Sequence, residues 1–87
     1  MSIQFSTCAW EDCLYWQQHD QRILKKINAL LEDIGRGDPY EGIGKPEPLK
    51  HGFSGFWSRR ITIEHRLVYR VSDGVIQVAQ ARYHYDQ

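Results

Sequence analysis

A chain of 87 residues with 41% hydrophobic and 13% aromatic side chains is too short for two cores and too aromatic to be disordered, so residues 1–87 read as one small domain. No apolar run approaches the roughly 20 residues that a membrane-spanning helix needs, and the opening MSIQFSTCAW lacks the basic and apolar regions of a signal peptide; a cytoplasmic protein with no membrane partner is expected. The net charge of zero hides an asymmetry: residues 1–41 carry seven Asp/Glu against four Lys/Arg, and residues 42–87 carry four against seven.

In chain order, SIQFS alternates and predicts a short first strand. TCAWEDCLYWQQHD predicts a helix capped by Thr7, with Trp10, Cys13, Leu14 and Gln17 forming its stripe and Tyr15 and Trp16 off it. Cys8 and Cys13 are not at zinc-ligand spacing and read as half-buried thiols. Asp20 caps a second helix, QRILKKINALLEDIG, whose Ile23, Ile27, Leu30, Leu31 and Ile34 follow the helical period and predict core packing. Gly35 and Gly37 are expected to stop it. Residues 35–56 hold six glycines and three prolines without a period, which predicts a long ordered loop. That loop has neither the P-loop pattern nor a following helix.

The last third reads as three strands, FWSRRITIEH, RLVYRVSDG and VIQVAQARYHY, with a turn near Glu64-His65 and a hairpin at Asp73-Gly74. The predicted fold class is therefore α+β: two N-terminal helices on one face of a mainly antiparallel sheet.

Alternation assigns the faces of those strands. Leu67, Tyr69 and Val71 form the core set, which leaves Arg66 on the open face. Arg60 joins it. In the final strand neither set is cleanly apolar, and the even set with Gln80, Arg82 and His84 is assigned to the open face. Spacing alone leaves two readings of this face. It is a solvated strand face with ordinary charges, or a surface where cations hold phosphates and rings such as Trp57 and Tyr85 stack on bases.

GKPEPLK supplies one more element. Glu47 lies between two prolines, which fix their own φ and push Glu47 into an extended conformation, and it is flanked by Lys45 and Lys50. A positioned carboxylate can act as a base, an arginine can steady charge on a phosphate, and an imidazole can act as an acid. That set suits RNA cleavage through the RNA's own 2′-hydroxyl. It calls for no metal or cofactor. The alternative at this point is a rigid loop with an exposed glutamate.

The motifs GKPEPLK, SGFWSRRI, EHRLVY and RYHY, together with the helical stretch WEDCLYWQQHDQRILKKINALLEDI, resemble the YoeB-like toxins of bacterial toxin–antitoxin systems, a branch of the RelE/ParE superfamily. The resemblance covers nearly the whole chain. It implies a fold similar to microbial ribonucleases and an endoribonuclease that cuts messenger RNA in the ribosomal A site. It also implies neutralisation by an antitoxin protein, a toxin homodimer, and contact with DNA only through the antitoxin complex. Mapped by motif, it implies Glu47 as general base, Arg66 as transition-state stabiliser, His84 as general acid and Tyr85 as a substrate-positioning group. Lys50 and Arg60 follow as RNA contacts. Two features depart from the pattern: Asp86 and Gln87 extend past the terminal tyrosine, and the GRGDPYEG stretch is slightly long. Two alternatives stay open, a non-catalytic antitoxin-binding co-repressor and a plain single-strand RNA binder.

Overall fold

The computed structural model describes residues 1–83. In chain order these form β1 (Ser2–Phe5), α1 (Thr7–His19), α2 (Gln21–Arg36), β2 (Glu47–Pro48), a 3-10 turn (His51–Phe53), β3 (Trp57–Arg60), β4 (Arg66–Ser72) and β5 (Val75–Gln80). The sheet order is β1-β5-β4-β3-β2. β2 through β5 are antiparallel neighbours, and β1 runs parallel to β5 at the edge. This is the α+β arrangement expected from the sequence. No helix among the described residues is long and apolar enough to cross a membrane.

α2 forms where the period is strongest. The Asp20 carboxylate accepts from the N–H groups of Arg22 and Ile23 at 3.0 and 3.4 Å, satisfying two donors that the helix itself leaves open. Ile27, Leu30, Leu31 and Ile34 are buried, each contributing on the order of 1.5–3 kcal/mol by leaving water. The helix runs through Gly35 and stops at Gly37, whose N–H returns to the Asp33 carbonyl at 3.1 Å.

α1 differs from the sequence reading in cap and face. Ser6, not Thr7, is the N-cap: its hydroxyl oxygen accepts from the Ala9 N–H at 3.0 Å. The buried residues of α1 are Ala9 and Trp16, whereas Trp10 is 54% and Leu14 39% exposed. Trp16 wins the core because its indole also reaches a hydrogen-bond partner there: Nε1 donates to the Ala81 carbonyl at 2.8 Å.

The mixed pattern of β5 has a concrete cause. Tyr69 pairs with Val78, yet Val68 pairs with Gln80, so Ala79 is an extra residue without an opposite partner on β4. This β-bulge inverts the alternation. Ile76 and Val78 face the helices with Leu67 and Tyr69, and Gln80 turns to the other face beside Val68. The bulge carbonyl is satisfied from outside the sheet, since the Ser6 hydroxyl donates to Ala79 O at 2.7 Å. One side chain thus caps α1 and completes the β5 irregularity.

A candidate RNA-cleaving site at the end of the sheet

β3 and β4 bring two arginines together. Arg60 and Arg66 are direct cross-strand partners and therefore share a face. It is the face opposite Leu67 and Tyr69, which pack on the helices. Two like charges placed opposite each other repel in the absence of an anion, so the pair is suited to one. Arg60 is exposed, and its backbone N–H donates to the Gly44 carbonyl at 2.6 Å. Arg66 is half-buried, and its Nη1 donates to the Thr62 carbonyl at 3.2 Å.

Glu47 reaches the same face from the loop. It pairs with Ser58, which pairs in turn with Val68, so Glu47 stands on the Arg60 side of the sheet. Two strand spacings and a two-residue offset separate the Glu47 and Arg66 backbones by roughly 12 Å. The two side chains can close much of that gap. Glu47 is exposed, while Leu49 beside it is buried and anchors the segment. Lys50 is exposed at the entrance of the 3-10 turn.

The loop carrying Glu47 is organised by Arg59, a residue the sequence reading did not single out. Arg59 is fully buried. Its Nε donates to the Tyr69 hydroxyl at 3.1 Å, and Nη1 donates to the Asp33 carboxylate at 2.5 Å and the Ile43 carbonyl at 3.1 Å. Nη2 donates to the carbonyls of Asp38, Pro39 and Glu41 at 3.3, 3.2 and 2.8 Å. One guanidinium therefore collects four loop carbonyls. Arg59 holds the Asp33 carboxyl below its ordinary range, and burial pushes the Tyr69 phenol upward. A signal was present in the sequence: Arg59 alternates with Trp57 and Ile61, and a cation in an apolar set must find partners.

The chain leaving β5 is held from several directions. Ala81 is buried, its N–H donating to Asp12 Oδ2 at 2.9 Å and its carbonyl accepting from Trp16. Burial raises the Asp12 pKa, opposed by the Ala81 N–H and by the charge of Arg82. The Tyr83 N–H donates to His65 Nδ1 at 2.7 Å, and the Tyr83 carbonyl accepts from the Arg66 N–H at 3.0 Å. This path leads directly to His84. His84 and Tyr85 themselves lie outside the described residues.

Two residues expected to contact RNA have ring partners on the helix-bearing side. The Arg82 guanidinium lies 3.5 Å from the centre of the Tyr15 ring and near Tyr83, stacked against α1. β5 ends at Gln80, so strand alternation no longer sets the face of Arg82. Trp57 is half-buried against the core and stacks on Tyr40 with ring centres 4.6 Å apart. It pairs with Tyr69, so it belongs to the helix-bearing face. No group of three or more His, Cys, Asp or Glu side chains among the described residues is arranged to hold a metal ion.

Comparison with known proteins agrees with this architecture. A family model for the YoeB-like toxin of bacterial type II toxin–antitoxin system matches residues 5–85. Toxin YoeB of Escherichia coli K12 is 60% identical over 85 residues, covering 98% of this chain and all of the relative. The YoeB dimer from Staphylococcus aureus superposes with a TM-score of 0.92 at 53% identity, covering 98% of both chains. The YoeB-YefM complex from Staphylococcus aureus superposes with a TM-score of 0.91 at 52% identity over the same shares. With its fold and nearly its full length matched, the chain belongs to the YoeB-like toxins of bacterial type II toxin–antitoxin systems.

Proposed function

We propose that this toxin is an endoribonuclease that cuts messenger RNA on the translating ribosome and so inhibits translation in the cytoplasm. Glu47 takes the proton of a 2′-hydroxyl, and the freed oxygen attacks the adjacent phosphorus. Arg66 steadies the negative charge that gathers on the phosphoryl oxygens. His84 gives a proton to the departing 5′ oxygen, leaving a 2′,3′-cyclic phosphate and a 5′-hydroxyl. Tyr85 orients the substrate, and Lys50 and Arg60 contact phosphates. The Arg82 and Trp57 side chains are engaged with Tyr15 and Tyr40, which leaves them outside the proposed steps.

The observation that supports this reading best is the meeting of three segments. Glu47 and the Arg60–Arg66 pair share one sheet face, and the backbone that leads into His84 is hydrogen-bonded to Arg66. The exposed base and the open face leave the RNA to be aligned by something else. A ribosome can supply that alignment, which is worth roughly 7–11 kcal/mol when reacting groups are held in place. An antitoxin partner and a homodimer are proposed from the complex and the dimer formed by the Staphylococcus aureus relatives.

The test is to map cut sites on translated and untranslated message with the wild type, Glu47→Ala and His84→Ala. Cuts confined to translated message and lost in both variants are expected. Equal cutting of naked RNA would remove the ribosome from the mechanism, and full activity of either variant would remove that residue's role.

A further inference from the structure

We propose that His65 is a positioning residue for catalysis: its ring nitrogen sets the course of the backbone at Tyr83, the residue from which the chain enters His84. This rests on the assignment of His84 as the general acid.

The main chain of residue 65 has no carbonyl to spare. His65 O already accepts from the N–H groups of Ile61 and Thr62, at 2.9 and 3.2 Å, closing the turn between β3 and β4. The segment that follows β5 still presents the Tyr83 N–H, and His65 Nδ1 accepts it at 2.7 Å. An imidazole thus stands in for a missing strand carbonyl. Accepting through Nδ1 requires a lone pair there, so the neutral ring carries its proton on Nε2.

The ring is held for this task. The Thr62 hydroxyl accepts the His65 N–H at 3.1 Å, and the Trp16 indole meets the imidazole edge to face with centres 4.8 Å apart. The same indole fixes the Ala81 carbonyl. Trp16 therefore supports the terminal segment at Ala81 directly and at Tyr83 through His65.

What the tether holds is not a relaxed strand. Tyr83 has φ of +63°, a left-handed conformation that bulky residues rarely adopt and that needs support from its surroundings. Its two backbone groups are bonded to consecutive residues, N–H to the His65 side chain and carbonyl to the Arg66 main chain. The bend lies one residue before His84 and is tied to the backbone of Arg66. Without the His65 acceptor, Tyr83 can relax toward an extended conformation and redirect the chain that enters His84.

A series at position 65 tests this. Asparagine presents an oxygen where Nδ1 stands, glutamine presents one near Nε2, and leucine presents none. On translated message, His65→Leu should lose about 100-fold in kcat with little change in KM, the scale of loss that follows a misplacement of about 1 Å. His65→Asn should recover most of that loss, and His65→Gln should recover less. Thermal unfolding checks that each variant folds. Wild-type kcat in a folded His65→Leu, or His65→Asn no faster than His65→Gln, overturns the proposal. If His65→Leu fails to fold, the asparagine–glutamine order decides alone. Amide exchange of Tyr83 supplies a readout independent of activity: it should be faster in His65→Gln than in the wild type and in His65→Asn, and equal rates overturn the tether. His84→Ala is run alongside. Full activity in that variant defeats the assignment of the acid, while the exchange result still judges the tether.

Discussion

Arg59 of β3 and Asp33 of α2 form a buried-to-surface ion pair, Nη1 to Oδ2 at 2.5 Å, that joins the helix layer to the loop carrying Glu47. The same guanidinium gathers the carbonyls of Asp38, Pro39, Glu41 and Ile43. Breaking it from the arginine side abandons a set of desolvated acceptors together. Arg59→Ala should cost about 3–5 kcal/mol, the range for removing one partner of a buried ionic network. Urea denaturation at neutral pH measures this. Arg59→Lys should recover little, because an ammonium lacks the planar fork that reaches these partners at once.

The same pair predicts an acid response. Arg59 lowers the Asp33 pKa in the folded state. Its stabilising contribution is therefore present above the unfolded carboxylate value and is lost as pH falls through the depressed folded value. The wild-type urea midpoint should drop between pH 5 and pH 3, taking about 3.9 as the unfolded aspartate value. Asp33→Asn should have a lower midpoint at pH 7 and a shallower fall with acid. A variant whose acid slope equals that of the wild type would show that other carboxylates govern the response.

Ser6 is predicted to matter beyond a helix cap. Its oxygen accepts from Ala9 N–H and its hydroxyl donates to the bulge carbonyl of Ala79. Loss of the cap alone costs about 1 kcal/mol. Ser6→Ala should exceed that, whereas Ser6→Thr keeps both bonds and should stay near the wild type. Thermal and chemical unfolding of the two variants gives the comparison.

Trp16→Phe separates packing from hydrogen bonding. The ring still fills the core, but the buried Ala81 carbonyl loses its donor. An unsatisfied buried acceptor costs about 1–3 kcal/mol. The substitution should lower stability by that amount and also slow cleavage, because Ala81 lies on the path to His84. A destabilised Trp16→Phe with undiminished cleavage below its melting temperature would uncouple that path from the site.

Glu47→Ala should leave the fold intact, since exposed substitutions away from special contacts change stability by about 0.5 kcal/mol or less. It should nevertheless relieve growth arrest when expressed without an antitoxin. Arg66→Ala should lower kcat by about 100- to 1,000-fold, the loss typical when one charge-stabilising donor is removed. Arg60→Ala, at the exposed partner position, should mainly raise KM. Steady-state kinetics on translated message distinguishes the two arginines.

The sequence by itself determined those features whose cause is local. The apolar period of Ile27, Leu30, Leu31 and Ile34 places α2 and its buried face without reference to any partner. Asp73-Gly74 makes the β4–β5 turn with both residues at positive φ, as that dipeptide favours. Alternation in β3 and β4 puts Arg60 and Arg66 on one face, and the KPEP and EHRLVY motifs mark Glu47 and Arg66 as candidates. Only the tertiary structure decided what depends on residues far apart in the chain. Trp16 rather than Trp10 enters the core because Ala81, 65 residues later, offers it an acceptor. Arg82 leaves the expected face because β5 ends at Gln80 and the guanidinium meets the Tyr15 ring of α1, 67 positions earlier in the chain. Arg59 can be buried because carbonyls from a loop with no periodic signal converge on it. Periodicity reports which way a side chain points along its own element; which groups wait there, and whether they satisfy it, is a property of the assembled chain.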